Sequence, residues 1–236
     1  MTITSSYKVQ VVGINKAFRD TVDIYRSALS YIINVVEAEW SRLEPVFHNT
    51  KTKKQAMGMV ENLVISKKSN NYVTKYDFEN HYYKIPSYMR RAIINKALGA
   101  VSSYHSNLDL YIQNGSKGKP PRLQPDTLEM PTFYRGNCFL DDDDIFNTKN
   151  NKVFLKFFYN NDWVWVPVQL REQDVKYIRK YWAHKEMSAP TLEKHYNKYY
   201  LRFAFKEKQT LTQTPEAKRT ILAVDLGINT DAACSV

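Results

Sequence analysis

The stretch Ser6-Tyr7-Lys8-Val9-Gln10-Val11-Val12-Gly13 decides how this chain can fold, because it is a lone strand ahead of a long helical region. Its polar and apolar side chains alternate, as in a half-buried strand, and a glycine ends it. A single strand cannot bury its apolar face by itself, and the next strand patterns come only beyond residue 125. We therefore predict that residues 6–13 join the later strands in a β-barrel, with the helical region as an insertion.

The region after this strand has the apolar spacing of helices. One stripe recurs every three or four residues from Phe18 to Trp40, with Asn15 as a candidate N-cap and Pro45 beyond the predicted end. Weaker patterns predict a second helix over about residues 51–66 and a third over about residues 75–83. These helices would form one bundle with the helix that follows them.

The clearest helical pattern begins at Pro86, a residue favoured in the first turn of a helix. Its apolar stripe runs from Met89 to Tyr111, and it ends near the Asn114-Gly115 pair, because glycine commonly ends helices. We expect this stripe to pack against the stripe of the first helix.

Cations flank both ends of that helix. Arg90, Arg91 and Lys96 crowd its first turns, where positive charge opposes the helix dipole and a bound anion would relieve it. The glycines and prolines of the loop from Gly115 to Arg122 exclude regular structure and leave further cations exposed. The six candidate phosphate contacts are therefore Arg90, Arg91, Lys96, Lys117, Lys119 and Arg122, and the alternative for each is an ordinary solvated surface charge.

Beyond the loop, the apolar period changes from helical spacing to two, which predicts strands. In the last of them, Tyr199, Leu201, Phe203 and Phe205 point to one face. The candidate strands are 128–134, 137–140, 152–159, 163–170, 189–195 and 199–206, and one helix is predicted over about residues 171–183. Residues 209–219 are polar and predict a linker.

The segment from Thr220 to Val236 combines two apolar runs around a tight turn. The first run ends on a carboxylate, Asp225, and Gly227 permits the turn. This pattern is typical of the first hairpin of an RNase H-like sheet, but it also fits the phosphate loop of an actin-like ATPase or a plain strand-turn-strand. Two-metal phosphodiester hydrolysis needs several carboxylates, so Asp225 is a candidate catalytic residue and metal ligand that lacks partners.

Composition indicates a polyanionic partner. The 236 residues carry a formal net charge of +10, with a pI of about 9.4. Residues 1–124 contain 18 Lys and Arg against 9 Asp and Glu, whereas residues 125–236 contain 16 against 15. The 17 tyrosines could stack on bases, although we expect most of them to fill half-buried positions. The excess positive charge thus belongs to the N-terminal half.

Other classes of function find little support in the sequence. Cys138 and Cys234 lie too far apart for a disulfide framework or a zinc site, and the five histidines lack ligand spacing. The acidic run Asp141–Asp144 lacks the glycine and the terminal glutamate of a calcium loop, so we interpret it as a solvated turn. Without an export signal or a long apolar run, we expect no membrane span and a cytoplasmic location.

Three blocks of sequence together resemble TnpB/OrfB transposon proteins. Residues 85–104, IPSYMRRAIINKALGAVSSY, are similar to the late helix of that family's recognition lobe. GSKGKPPR at 115–122, followed by PTFYRGN at 131–137, resembles the family's passage into its barrel. YYLRFAF at 199–205 and ILAVDLGIN at 221–229 resemble its last barrel strand and its first RuvC motif.

The resemblance implies an α+β fold: a wedge-type β-barrel with an inserted helical bundle, followed by the first hairpin of an RNase H-like (RuvC) domain. The boundaries would be a first wedge strand at 1–14, a helical recognition lobe at 15–124, the barrel at 125–208, a linker at 209–219 and the RuvC start at 220–236.

In function, the resemblance implies an RNA-guided DNA endonuclease of an insertion sequence, similar to type V CRISPR effectors. Its partners would be a guide RNA and target DNA, and Asp225 would be the first RuvC carboxylate and a Mg²⁺ ligand. The family's catalytic glutamate, second aspartate and C-x-x-C zinc module follow this motif and are not among these residues. We therefore interpret the chain as a truncated or split, catalytically incomplete N-terminal portion that binds nucleic acid. The alternatives are an active nuclease completed by a partner or a downstream segment and, less favoured, an actin-like ATPase fragment.

Overall fold

The computed structural model describes residues 2–13, 16–49, 51–124, 129–134, 151–182, 184–208, 223–225 and 233–235. Over these residues the fold is α+β, with an open antiparallel sheet and a group of helices. Asn15, residues 137–140, Asp141–Asp144, the 209–219 segment and Gly227 lie outside the described residues, as does most of the predicted barrel passage before residue 151.

The main sheet contains six strands, and its order follows from their pairing. The strands are β1 (Thr2–Val12), β2 (Lys152–Tyr159), β3 (Asp162–Leu170), β4 (Glu186–Met187), β5 (Thr191–His195) and β6 (Lys198–Lys208). Their order is β2-β3-β1-β6-β4, and β5 also pairs with β6. One described edge of this open sheet is therefore β2, and the other is shared by β4 and β5, which pair with successive parts of β6.

The N-terminal strand pairs with the later strands, as the sequence predicts, although it begins at Thr2 rather than Ser6. It runs antiparallel to β6 from the Thr2–Lys208 pair to the Gln10–Tyr200 pair. On its other side, only Val11 and Val12 pair with β3. The helices between β1 and β2 are thus an insertion between two strands of one sheet.

The inserted helices are α1 (Lys16–Ala38), α2 (Trp40–His48), α3 (Lys53–Val64), α4 (Phe78–His81) and α5 (Ser87–Gln113), with a 3₁₀ turn at Lys68–Asn70. The expectation that Pro45 lies past the end of a helix is wrong. The first helix breaks at Glu39 and a second one starts at Trp40, so Pro45 falls inside α2. There it gives up one main-chain hydrogen bond without preventing a short helix.

One core joins the helices to the sheet. The predicted stripes of α1 and α5 pack on each other, and Tyr25, Ile32, Met89 and Ile93 are fully buried. Phe18 of α1 packs on Phe157 of β2, with ring centroids 4.4 Å apart. The α5 stripe is buried only as far as Val101, whereas Leu108 and Tyr111 are half-buried.

The helix that follows β3, α6 (Glu172–Tyr181), packs against β1. Buried Asp174 accepts a hydrogen bond from the Gln10 main-chain N–H at 2.9 Å and another from Arg171 Nε at 3.0 Å. Tyr7 of β1 stacks on Tyr177 with centroids 4.7 Å apart. These contacts hold α6 against the part of β1 that has no strand partner from the described residues on this side.

The C-terminal segments form a separate two-stranded antiparallel sheet of β7 (Ala223–Asp225) and β8 (Ala233–Ser235). The predicted hairpin strands are thus present, and Asp225 ends the first of them, opposite Ala233. Along the described part of the chain, no helix combines the length and apolarity that a membrane span requires.

Candidate nucleic-acid interface

The six predicted phosphate contacts divide into two groups at the two ends of α5. With 27 residues, this helix is about 40 Å long. Arg90, Arg91 and Lys96 lie in its first three turns, whereas Lys117, Lys119 and Arg122 follow its last turn. Because most of the helix length separates the two groups, they do not form one binding site.

Two members of the group at the start of α5, Arg90 and Arg91, lie against a buried carboxylate, Glu61 of α3, which is only 6 % exposed. Lys67 Nζ donates a hydrogen bond to Glu61 Oε2 at 2.8 Å. Arg90 Nη2 and Arg91 Nε each lie 3.5 Å from Glu61 Oε1, at ion-pair distance but without hydrogen-bond geometry. Three cations therefore converge on one carboxylate.

The nearby carboxylate explains why positive charge is stable at the start of this helix, where it opposes the helix dipole. Burial favours the neutral acid, but the hydrogen bond from Lys67 and the charges of Lys67, Arg90 and Arg91 hold the pKa of Glu61 below its usual range. The anion that the sequence pattern requires is thus supplied within the chain. Arg90 is mostly covered, whereas 60 % of the Arg91 side chain is exposed, so Arg91 is the better placed of the two for a phosphate.

Lys96 has an internal partner as well. It forms an ion pair with Glu129, whose main-chain carbonyl accepts a hydrogen bond from Arg26 Nε at 3.0 Å. Lys96 and Glu129 line a pocket of about 510 Å³ between α5 and strands β5 and β6. Across the pocket, Arg202 pairs with Glu193, so its described charges are balanced and give no preference for an anion.

The loop at the other end of α5 differs in its surroundings. The helix ends in a Schellman motif: the Ser116 N–H bonds to the Tyr111 carbonyl at 2.9 Å and the Gly115 N–H to the Ile112 carbonyl at 3.0 Å. Gly115 has a φ of +73°, which glycine adopts without strain. The chain then runs over the surface with all three loop cations exposed, and none of them forms an ion pair within the described residues.

A second exposed feature, which the sequence reasoning missed, lies on the β2–β3 hairpin. Asn160 and Asn161 form its two-residue turn with positive φ values of 49° and 60°, as a type I′ turn requires. The register places Lys156 opposite Trp165, with Lys156 Nζ 5.8 Å from the centre of the indole ring. Trp165 is 45 % exposed.

Nearby, Tyr83 is 66 % exposed, and Lys84 Nζ lies 5.0 Å from its ring. The tryptophan spacing in Trp163-Val-Trp165 already places both rings on one face of a strand. Both faces of this hairpin are rich in apolar residues, so periodicity alone does not reveal which face is exposed.

Asp225 is placed only through its backbone, at the end of β7. Among the side chains that the structure describes, no group of three His, Cys, Asp or Glu could hold a metal ion. The described residues therefore do not provide the set of carboxylates that a two-metal centre needs.

Comparison with known proteins identifies a family for the chain. Among curated proteins, no sequence matches it significantly. Residues 2–159 match the sequence profile of the Aq_aa04 family, from the start of β1 to the end of β2. Because this match covers more than half of its length, the chain belongs to the Aq_aa04 family.

Proposed function

We propose that this chain binds nucleic acid as the N-terminal portion of a TnpB-like RNA-guided DNA endonuclease. Its partners would be a guide RNA and target DNA. The observation that carries the proposal is the exposed loop after α5, with Lys117, Lys119 and Arg122 on one short segment. The loop belongs to the half of the chain that holds nearly all the excess positive charge.

The order of elements supports the same proposal. A strand, an inserted helical block, a sheet and a hairpin with a carboxylate at the end of its first strand follow one another along the chain. In the proposed assignment, the six-stranded sheet is the wedge barrel, the helices are the recognition lobe, and β7–β8 begin the RuvC domain. Closure of the barrel and the RuvC assignment are parts of the proposal.

In this function, the loop cations act through phosphates. Each cation that contacts a phosphate releases a condensed counterion, so affinity falls as salt rises. Such contacts position the nucleic acid and carry no base information. In an RNA-guided system, the sequence of the target is read by base pairing with the guide.

The test is a filter-binding titration of the purified chain with a structured RNA and with duplex DNA at several salt concentrations. We expect tighter binding to the RNA and a steep loss of affinity with salt. The variant Lys117→Gln/Lys119→Gln/Arg122→Gln should lower the slope of log affinity against log salt by about two, since each phosphate contact contributes roughly 0.7 to 0.9.

A matched control removes the same number of charges elsewhere. Lys176 and Lys180 on α6 and Lys198 at the start of β6 are exposed, and none of them belongs to α5 or its following loop. The triple glutamine variant at these positions should retain the slope of the unmodified chain. Equal losses in both variants would mean that net charge alone drives binding, and a chain that binds neither probe would refute the proposed function.

A further inference from the structure

The outer face of the β2–β3 hairpin is exposed around Trp165, whereas Phe158 and Trp163, towards the turn end of the same face, pack with the core. The inner face of β2 buries Val153, Leu155 and Phe157 against α1. Lys156 and Trp165 point to the opposite face, since they are cross-strand partners and alternate with the buried positions. This outer face therefore presents an exposed indole beside a cation.

A second ring extends the same surface. The Trp163 indole N–H donates to the Tyr83 carbonyl at 3.3 Å, so the turn around Tyr83 lies beside the end of this face. Trp163 and Trp165 are two residues apart on one strand and share the face. The turn that carries the exposed Tyr83 ring and Lys84 thus borders the same face as the Trp165 and Lys156 pair.

We infer that this surface, defined by Tyr83, Lys84, Lys152, Phe154, Lys156 and Trp165, binds unpaired nucleotides by stacking bases on its exposed rings. The inference rests on the proposed function and specifies which part of the nucleic acid is held here.

The charge and shape of the surface favour this occupant. The hairpin from Lys152 to Leu170 has a single carboxylate, Asp162, which lies beside the turn and accepts the Trp163 main-chain N–H at 2.8 Å. Three lysines accompany the two exposed rings, so the surface attracts phosphates. A flat indole beside a cation stacks on any base, and such stacking is sequence-tolerant. A paired duplex hides its base faces, so the ring contacts select unpaired segments.

The experiment compares a short single-stranded oligoadenylate with an RNA duplex of the same length. Trp40 and Trp163 are buried and Trp182 is half-buried against the core, whereas Trp165 is 45 % exposed, so stacking should mainly quench the tryptophan fluorescence of Trp165. Trp165→Leu should abolish the quenching and lower affinity for the oligoadenylate at least about fivefold, while duplex binding changes less than twofold.

Two further variants separate stacking from structural effects. Trp165→Phe retains an aromatic face and should recover most of the oligoadenylate affinity. Tyr196→Leu removes a ring that is 84 % exposed on the β5–β6 turn, and it should leave binding unchanged. Circular dichroism should show that all these variants fold alike.

The outcomes distinguish this inference from the proposed function. If the chain binds structured RNA through the Lys117–Arg122 loop but Trp165→Leu binds the oligoadenylate normally, the stacking surface is refuted and the proposed function stands. If the unmodified chain binds neither RNA, both are refuted. An equal loss of oligoadenylate affinity in Trp165→Leu and Tyr196→Leu would also overturn the inference, because the effect would not depend on this surface.

Discussion

The two ends of α5 carry similar cations in very different surroundings. At its start, Arg90 and Arg91 lie against the buried carboxylate of Glu61 together with Lys67 from the segment after α3, and these three cations form the first cluster. Past its end, Lys117, Lys119 and Arg122 lie exposed on a loop, with no ion pair among the described residues. The sequence presents both groups as clusters of positive charge, but only the second is fully available to an external polyanion.

The difference shows what a local cluster of cations means in a folded chain. A buried carboxylate needs compensating charge, since an isolated buried ion is costly, and it takes that charge from neighbouring helices. The first cluster is therefore mainly part of the helical packing. The second cluster has no such partner among the described residues, so its charges would contribute binding energy only when a polyanion is bound.

The largest expected effect comes from removing the carboxylate of the first cluster. Glu61→Gln leaves the mostly covered Arg90 guanidinium and Lys67 without a counter-charge, and we expect unfolding free energy to fall by about 2 kcal/mol. Urea denaturation followed by circular dichroism measures it. Glu172→Gln, at an exposed pair with Lys176 on α6, is the matched control and should change stability by less than about 0.5 kcal/mol. Equal changes in the two variants would contradict the comparison.

The loop cluster should show the opposite behaviour. The triple variant Lys117→Gln/Lys119→Gln/Arg122→Gln should lose about tenfold in RNA affinity, roughly 1.4 kcal/mol, and keep its unfolding free energy within about 0.5 kcal/mol. Binding titrations and urea denaturation on the same preparation test both halves. A stability loss similar to that of Glu61→Gln would show that the loop cations also serve the fold.

Much of the sheet could be predicted from the sequence, because burial imposes a period on the side chains. β2 matches its predicted range, and β3, β5, β6 and α6 differ from theirs by a few residues at the ends. In β6, Tyr199, Leu201, Phe203 and Phe205 are buried as the alternation requires. That β1 pairs with a later strand followed from the need of a lone strand for a partner, whereas the choice of β6 was not predicted.

The features that escaped prediction depend on residues far apart in the chain. The break between α1 and α2 falls at Glu39, whose buried carboxylate binds Lys75 and the Tyr76 hydroxyl, more than thirty positions away. Glu61 similarly meets Arg90 and Arg91 from another helix. Neither pairing leaves a periodic signal. The exposure of Trp165 also depends on which face of the hairpin α1 covers.

Acid should affect the first cluster and spare the second. The pKa of Glu61 is lowered despite its burial, and hydrogen bonds from Lys75 and Tyr76 lower the pKa of Glu39. Both carboxyls therefore bind protons less readily folded than unfolded, where the ordinary value is 4.5. Their stabilising contribution is complete above about pH 4.5 and is lost as pH falls through the lower folded values.

The measurement is the urea midpoint of unfolding between pH 6 and pH 3. The midpoint of the unmodified chain should fall with acid, and Glu61→Gln should show a shallower fall because one of the two groups is gone. The loop variant, which retains both carboxyls, should follow the unmodified chain. Parallel curves for Glu61→Gln and the unmodified chain would exclude a lowered pKa at Glu61.

The smallest expected effect is that of Asp225 on binding. Asp225 ends β7 and is no part of either cation cluster, so Asp225→Ala should leave RNA affinity within twofold of the unmodified chain. By the proposed TnpB-like assignment, the other carboxylates of the metal centre are not among these 236 residues, so the chain should not cut DNA with Mg²⁺. If a second chain or segment supplies the remaining carboxylates, cleavage should appear with Mg²⁺ and disappear in Asp225→Ala while binding persists. A plasmid-nicking assay beside the binding titration separates these outcomes. Cutting by the 236-residue chain alone, or full activity of a completed enzyme that carries Asp225→Ala, would contradict the proposed catalytic role of Asp225. The comparison of the two cation clusters would then rest on the binding measurements alone.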